Sequence, residues 1–251
     1  MSRHGASAAV LLTSLLSFAS AVAAQQSHCA DCHFANPTAP ARGHLEDWDH
    51  SAHGRSNVGC EKCHGGSDTQ TFDSFLAHRG IVNGGNPDSP VNWRNLPATC
   101  GGCHTGPFVA FQKSGHFALL QKGDSRVPTC ATCHGAVAAQ RPSPKALEAE
   151  CRQCHGPNGI ARRAERAETA RTLYEGINES RELLNAARPL IAHVTDKRRR
   201  ADLEARYQQA GVPLTQAVLA GHEFVYDNLK ERLATARQRI EALFGQLANP
   251  R

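Results

Sequence analysis

One five-residue pattern, C-x-x-C-H, occurs five times in this chain and uses every one of its ten cysteines. The copies begin at Cys29, Cys60, Cys100, Cys130 and Cys151, and each ends on a histidine. Two thiols at this spacing can each form a thioether bond with one vinyl group of a haem, and the histidine that follows can then bind the iron. The pattern therefore predicts a chain that folds around five covalently attached haem c groups.

The predicted haem attachment residues and first axial ligands follow directly from the five copies. The attachment residues are Cys29, Cys32, Cys60, Cys63, Cys100, Cys103, Cys130, Cys133, Cys151 and Cys154. The first axial ligands are His33, His64, His104, His134 and His155.

Three other uses of paired cysteines explain the pattern less well. Disulfides would suit an exported protein, but they do not require a histidine after every second cysteine. With 14 histidines in 251 residues, five such coincidences have a probability on the order of one in a million. Zinc sites combine two cysteine pairs or a pair with distant ligands, and iron–sulfur clusters do not need the histidine. Haem c accounts for both residue types.

Histidines are expected on the other side of each iron. Met1 is the only methionine and lies in the predicted leader, so methionine ligation is excluded in the mature chain. The histidines outside the motifs and after Ala24 are His28, His44, His50, His53, His78, His116, His193 and His222. We expect His53, His78, His116 and His222 to be axial ligands. Either His44 or His50 could serve the fifth iron.

The composition separates a neutral first part from a basic second part. Residues 25–155 carry 11 basic and 11 acidic side chains, whereas residues 156–251 carry 16 and 12. Aromatic residues make up only 6% of the chain, too few for an ordinary core, so haem is expected to fill the interior of the first part. Its frequent Gly, Pro, Asn and Asp favour turns and short helices over a sheet. We predict a mainly α fold with a loop-rich pentahaem domain over residues 25–158.

The second part, residues 159–251, is predicted to be a tail of long helices. Leu173, Ile177, Leu184 and Ile191 form an apolar face on a first helix that begins near residue 160 and kinks or ends near Pro189. A second helix is predicted over about 195–210, with Gly211 as its stop and Pro213 as the first-turn residue of a third.

The third tail helix is predicted to run to about residue 247. Its apolar face comprises Leu214, Val218, His222, Val225, Leu229, Leu233, Ala236, Ile240, Leu243 and Leu247. A histidine on such a face needs a partner, and a haem iron would satisfy His222. The tail is expected to pack on the haem domain or on a second copy of the chain.

Residues 1–24 have the composition of an export signal. Arg3 precedes a short apolar run, and small residues lead to a predicted cleavage site between Ala24 and Gln25. If the segment is not cleaved, residues 6–24 could anchor the chain in a membrane. Both alternatives predict a periplasmic protein.

The five motifs, the Ser-x-His elements ahead of them and the helical tail resemble the periplasmic multihaem c cytochromes. The tail is similar to the long C-terminal helices of the family of cytochrome c nitrite reductase and hydroxylamine oxidoreductase. The resemblance implies closely stacked haems that pass electrons. Two features depart from that family: no motif has lysine in place of histidine, and a tyrosine cross-link, for which Tyr226 is the candidate, is not expected.

These features predict an electron carrier that relays electrons between a donor and a terminal reductase during anaerobic respiration. Its expected partners are periplasmic or membrane-bound redox proteins, and the modest net charge of +5 gives no reason to expect nucleic-acid binding. One alternative is a reductase or oxidase of a small nitrogen or sulfur compound, with one haem left open for substrate. Another is a gas-binding or scaffold subunit that assembles through its tail.

Overall fold

A computed structural model describes residues 27–36, 42–69 and 72–249, and the predicted signal segment lies outside them. These residues form α-helices and no strand, which confirms the mainly α prediction. The helices are α1 His28–Ala35, α2 Arg42–Asp49, α3 Ala52–Arg55, α4 Glu61–His64, α5 Ser74–Ala77, α6 Leu96–Gly101, α7 Thr105–Gln112, α8 Gly115–Gln121, α9 Cys130–His134, α10 Pro144–His155, α11 Ala164–Ala192, α12 Lys197–Glu223 and α13 Tyr226–Ala248. Among these helices, none is both long enough and apolar enough to span a membrane.

Helices α1 to α10 are short and are joined by hydrogen-bonded turns. Between α5 and α6, side-chain amides take the place of regular secondary structure. Asn92 Nδ2 donates to Gly84 O at 3.0 Å and Asn95 Nδ2 donates to Ser89 O at 2.9 Å. Asparagine readily satisfies backbone groups in this way, which explains why it is common in this turn-rich segment.

The last three helices pack against one another around the largest apolar core of the described residues. Its buried members are Ile177, Leu184, Ala187, Ile191, Leu203, Ala210, Leu214, Ala217, Ala220, Leu229, Leu233, Ala236, Ile240 and Leu243. The predicted apolar face of the first tail helix is confirmed, because three of its four residues are in this core and Leu173 packs against it.

The predicted boundary between the second and third tail helices is wrong. Helix α12 continues through Gly211 and Pro213 to Glu223. Proline lacks an N–H, so it leaves the carbonyl four residues earlier without its helical partner. Here Arg239 Nη1 on α13 donates to that carbonyl, Gln209 O, at 2.9 Å. The contact with α13 therefore replaces the hydrogen bond that the proline cannot make. Glycine and proline positions in the sequence do not reveal such a contact.

The actual break lies at Phe224, so the predicted single helix to residue 247 is two helices. Phe224 has a left-handed backbone, with φ of 56° and ψ of 24°, which is costly for a residue with a side chain. Its ring is held by edge-to-face contacts with His116, at 4.7 Å between centroids, and with Phe111, at 6.3 Å. Val225 follows the break and is 44% exposed, so its predicted place on the buried face is also wrong.

The tail contacts the first half through two pairs of helices, α7 with α12 and α10 with α11. Glu148 on α10 accepts from Arg152 on the same helix at 2.6 Å and from Arg171 on α11 at 2.8 Å. Lys113, just after α7, pairs with Glu223 at the end of α12 at 3.0 Å. These ion pairs join the last motif helix to α11 and the end of α7 to the end of α12.

We expect Glu223→Gln to lower the free energy of unfolding at neutral pH but not at acidic pH, because it removes the ion pair with Lys113. Lys113 holds the pKa of Glu223 below its ordinary value of 4.5. A lowered folded-state pKa stabilises the fold above the unfolded pKa, and this contribution is lost as the pH falls through the folded value. Chemical denaturation at pH 7 should show a loss of about 0.5 kcal/mol, since the pair is partly exposed, and no loss at pH 3. Glu241→Gln, an exposed carboxylate on α13, is the control. An equal loss at both pH values would contradict the argument.

Candidate functional site

The structure pairs each of the five motif histidines with one histidine from outside the motifs. The distances between ring centroids fall in a narrow range around 6 Å. The pairs are His33 with His78 at 5.8 Å, His64 with His44 at 6.0 Å, His104 with His53 at 6.0 Å, His134 with His222 at 6.2 Å and His155 with His116 at 6.1 Å. We call these the first to fifth sites, in the order of their motifs.

The spacing of the paired rings fits one metal atom coordinated by both imidazoles. A metal–imidazole bond is about 2 Å long, and the ring centre lies about 1 Å beyond the nitrogen, so two coordinated rings have centroids about 6 Å apart. Within the described residues, no group of three or more His, Cys, Asp or Glu side chains is arranged to hold a metal ion. Two protein ligands are what an iron needs when a porphyrin supplies the other four.

Short helices position most of the paired histidines, and the long helix α12 carries His222. The motifs occupy helix ends or single turns, as in α9, which spans Cys130–His134. Two of the partner histidines follow a serine that caps their helix. Ser51 accepts from Gly54 N and Ser114 accepts from Phe117 N, each at 3.0 Å. Because a serine N-cap fixes where a helix begins, the Ser-x-His elements place His53 and His116 in the first turn of α3 and α8.

Helix α2 places His44, and not His50, beside the motif histidine of the second site. Leu45 and Trp48 are buried beside it, and Trp48 Nε1 donates to Val58 O, just before the second motif, at 2.9 Å. His50 lies beyond the end of α2, is exposed, and its Nδ1 donates to Glu46 O at 2.8 Å. Of the two histidines between which the sequence left the choice open, His44 lies beside a motif histidine, whereas His50 forms no ring pair among the described residues.

The other two unpaired histidines also lie away from the motif rings. His28 Nδ1 is 3.9 Å from Asp31 Oδ2 on the same helix. His193 is exposed after α11, and its Nδ1 donates to Pro189 O at 2.7 Å. Neither forms a ring pair among the described residues, in keeping with the prediction that His193 is structural or exposed.

Backbone hydrogen bonds fix the orientation of three paired rings. His78 Nδ1 donates to Ser74 O at 2.6 Å, His134 Nδ1 to Gln140 O at 3.0 Å and His222 Nδ1 to Val218 O at 2.9 Å. A carbonyl can only accept, so Nδ1 carries the hydrogen in each of these rings. Nε2 is then left with the lone pair that a metal requires.

Burial keeps several of the paired rings neutral. It lowers the pKa of His53, His64, His116, His155 and His222, and the partner imidazole lowers four of these values further. For the fifth-motif histidine the further cause is the positive charge of two nearby arginines. Neutral imidazole is the form that binds a metal, so the environment favours ligation at neutral pH.

All ten cysteines are free thiols in this structure. Burial is the main reason why the pKa of Cys29, Cys60, Cys63 and Cys151 is raised, and it raises the pKa of Cys133 to about 11. These thiols are therefore protonated at neutral pH and line the same sites as the histidine pairs.

Thiols of consecutive motifs lie next to one another. Cys29 interacts electrostatically with Cys60, and Cys63 interacts with Cys100 and Cys103. The thiols of Cys100 and Cys130 lie close enough to interact, which raises the pKa of Cys100. Cys133 of the fourth motif interacts electrostatically with Cys151 of the fifth. The five motifs are thus neighbours in the order in which they occur in the chain.

Two functional features of the fifth site were not predicted from the sequence. Arg163 and Arg166 lie close enough to His155 to lower its pKa. Tyr226, which the sequence suggested only as an unlikely cross-linking residue, instead donates its hydroxyl hydrogen to Arg166 O at 3.0 Å. No motif marks these residues, because their importance depends on how α11 and α13 pack beside α10.

Comparison with known families covers all five motifs. Residues 7–65, with the first two, match the family of cytochrome c554 and c-prime. Residues 88–156, with the last three, match the family of cytochrome c7 and related cytochrome c. These matches support a multihaem c-type cytochrome. No curated protein and no solved structure matches the chain. The finer resemblance to nitrite reductase and hydroxylamine oxidoreductase stays a prediction.

Proposed function

We propose that this cytochrome is an exported electron carrier with five haem c groups, each held between two axial histidines. The observation that carries the proposal is the one-to-one pairing of motif and partner histidines at 5.8 to 6.2 Å. When bound, haem supplies the one-electron couple of its iron. The chain supplies two imidazoles and two thioether bonds at each site, and it holds the sites against one another.

Electrons are proposed to pass along the five sites in the order of their motifs. The support is the series of neighbouring thiols that links the first motif to the second, and so on to the fifth. A linear series has two ends, as a relay between a donor and an acceptor requires. The proposed partners are periplasmic or membrane-bound redox proteins, with a terminal reductase on the accepting side.

The pairing favours a relay over the alternative of a reductase with an open haem. Substrate reduction at iron needs one axial position without a protein ligand. Each of the five motif histidines has a partner ring within 6.2 Å, so every site already has a second axial candidate.

The test is the haem content and spin state of the purified holoprotein. We expect five haems per chain and an entirely low-spin resonance Raman spectrum in the oxidised state. A high-spin component in the wild-type protein, or turnover of nitrite or hydroxylamine at such a haem, would overturn the relay.

His44→Ala and His50→Ala form a matched pair for the second site. His44→Ala is expected to turn one haem in five high-spin, because the ring facing His64 is removed. His50→Ala should leave the spectrum unchanged, since the ring of His50 is turned to Glu46 O. The reverse result would show that the second site uses the other histidine.

A further inference from the structure

The fourth and fifth sites are neighbours, but their histidine pairs have opposite hydrogen bonding. At the fourth site both Nδ1 atoms are bonded, from His134 to Gln140 O and from His222 to Val218 O. At the fifth site, Nδ1 of His116 and of His155 are both buried and have no hydrogen-bond partner among the described residues.

This difference acts on the iron through its axial ligands. An imidazole that donates from Nδ1 becomes a more basic ligand, and a more basic ligand stabilises ferric over ferrous iron. At the fourth site both rings donate from Nδ1, and at the fifth site neither ring does. The hydrogen bonding therefore lowers the potential of the fourth site relative to the fifth.

Charge around His155 acts in the same direction. Two guanidinium groups, of Arg163 and Arg166, and one carboxylate, of Glu165, are close enough to affect this ring. The net charge of these three groups is positive. Positive charge stabilises ferrous iron relative to ferric iron, because the ferrous state has one more electron. On the cysteine side of the site, Glu150 and Glu148 are neighbours of Cys151 and oppose the arginines, although Glu148 is itself paired with Arg152 and Arg171.

Tyr226 fixes one of these arginines in place. The Arg166 guanidinium carbon lies 5.5 Å from the centre of the Tyr226 ring, and the tyrosine hydroxyl donates to the carbonyl of the same arginine at 3.0 Å. A cation stacked on an aromatic face loses much of its freedom to move away. The tail thus holds a positive charge beside the fifth site.

We infer that the fifth site has a higher potential than the fourth and is the electron-accepting end of the relay, with Arg166 as a residue that sets this potential. The inference rests on the proposed function and adds a direction to it. Electrons that enter at the first site would collect at the fifth, with a favourable step between the fourth and the fifth.

The experiment is an anaerobic redox titration of the holoprotein, followed optically and by electron paramagnetic resonance. The two sites differ in ring geometry, since the planes are 9° apart in the fourth pair and 61° apart in the fifth. Nearly parallel rings give a rhombic low-spin signal, and strongly crossed rings give a more anisotropic one. We expect an anisotropic signal to titrate at a higher potential than the rhombic signal.

Arg166→Gln should lower the potential of a single couple with an anisotropic signal, by about tenfold in the equilibrium constant for its reduction, or about 59 mV for one electron. Arg166→Lys keeps the charge and should stay close to wild type. Arg181→Gln removes a charge from another part of α11, where the arginine bonds to Asn178, and should change nothing. If Arg166→Gln does not fold, Arg163→Gln provides the same test.

The outcomes separate the inference from the proposed function. Fewer than five haems, or a high-spin haem in the wild-type protein, would overturn the relay itself. Five low-spin haems whose potentials are all unaffected by Arg166→Gln, or a rhombic signal that titrates above every anisotropic one, would overturn only the assignment of the fifth site.

Discussion

Replacing His222 with alanine is expected to convert one of five low-spin haems to high-spin and to abolish the rhombic signal. His222 is half-buried at the end of α12, its Nδ1 donates to Val218 O, and its ring stacks against His134 with only 9° between the planes. Without it, the fourth iron keeps a single protein ligand. Resonance Raman and electron paramagnetic resonance spectra of the oxidised protein measure both changes. Added imidazole should restore the low-spin state by filling the vacated position.

His193→Ala is the matched control for this substitution. Like His222, His193 lies at the C-terminal end of a tail helix, and its Nδ1 donates to a carbonyl four residues earlier. It has no motif ring beside it among the described residues, so its loss should leave all five haems low-spin. A low-spin His222→Ala protein, or an equal effect of both substitutions, would contradict the assignment of the fourth site.

The sequence predicts the parts of the sites that depend on local spacing. The five motifs predict the attachment residues and one axial histidine each, since those residues lie within a single helical turn. The apolar periodicity of the tail places His222 on a helix face that meets the haem-binding half. Local patterns work here because the interacting residues are close together in the chain.

The pairing itself could not be predicted from spacing. His134 and His222 come from segments far apart in the chain, and their contact depends on how α12 packs against the first half. His44 and His50 are both plausible by distance along the chain. The burial of Leu45 and Trp48, which fixes the face of α2, distinguishes them.

The misplaced helix boundary has a similar cause. Gly211 and Pro213 are strong local signals for a break, yet Arg239 satisfies the carbonyl that the proline leaves free. Phe224 carries no local signal for a left-handed conformation, but its ring packs against His116. In both places a tertiary contact outweighs the local preference, and the contact near Phe224 is part of a proposed haem site.

If the same chain is produced without haem, we expect its first half to lose its structure while the tail stays helical. The buried apolar residues of the described part of the first half are few and scattered: Ala30, Leu45, Trp48, Ala110, Phe111 and Leu120. The tail has a continuous core of its own, formed by residues such as Leu203, Leu233 and Ile240. Burial of apolar area is the main favourable term in folding, and in the first half the haems must supply most of it.

Hydrogen exchange of the haem-free and haem-bound chains, followed by mass spectrometry, measures this difference. Without haem, amides in residues 42–155 should exchange on the time scale of an unfolded chain, while α11, the first part of α12 and α13 stay protected. The end of α12 should lose part of its protection, because it packs on α7 and presents His222 to the fourth site. Equal protection of both halves would mean that the polypeptide builds a sufficient core in the first half by itself. Loss of protection throughout would mean that the tail depends on the haem-binding half for its stability, despite the apolar core that its three helices share.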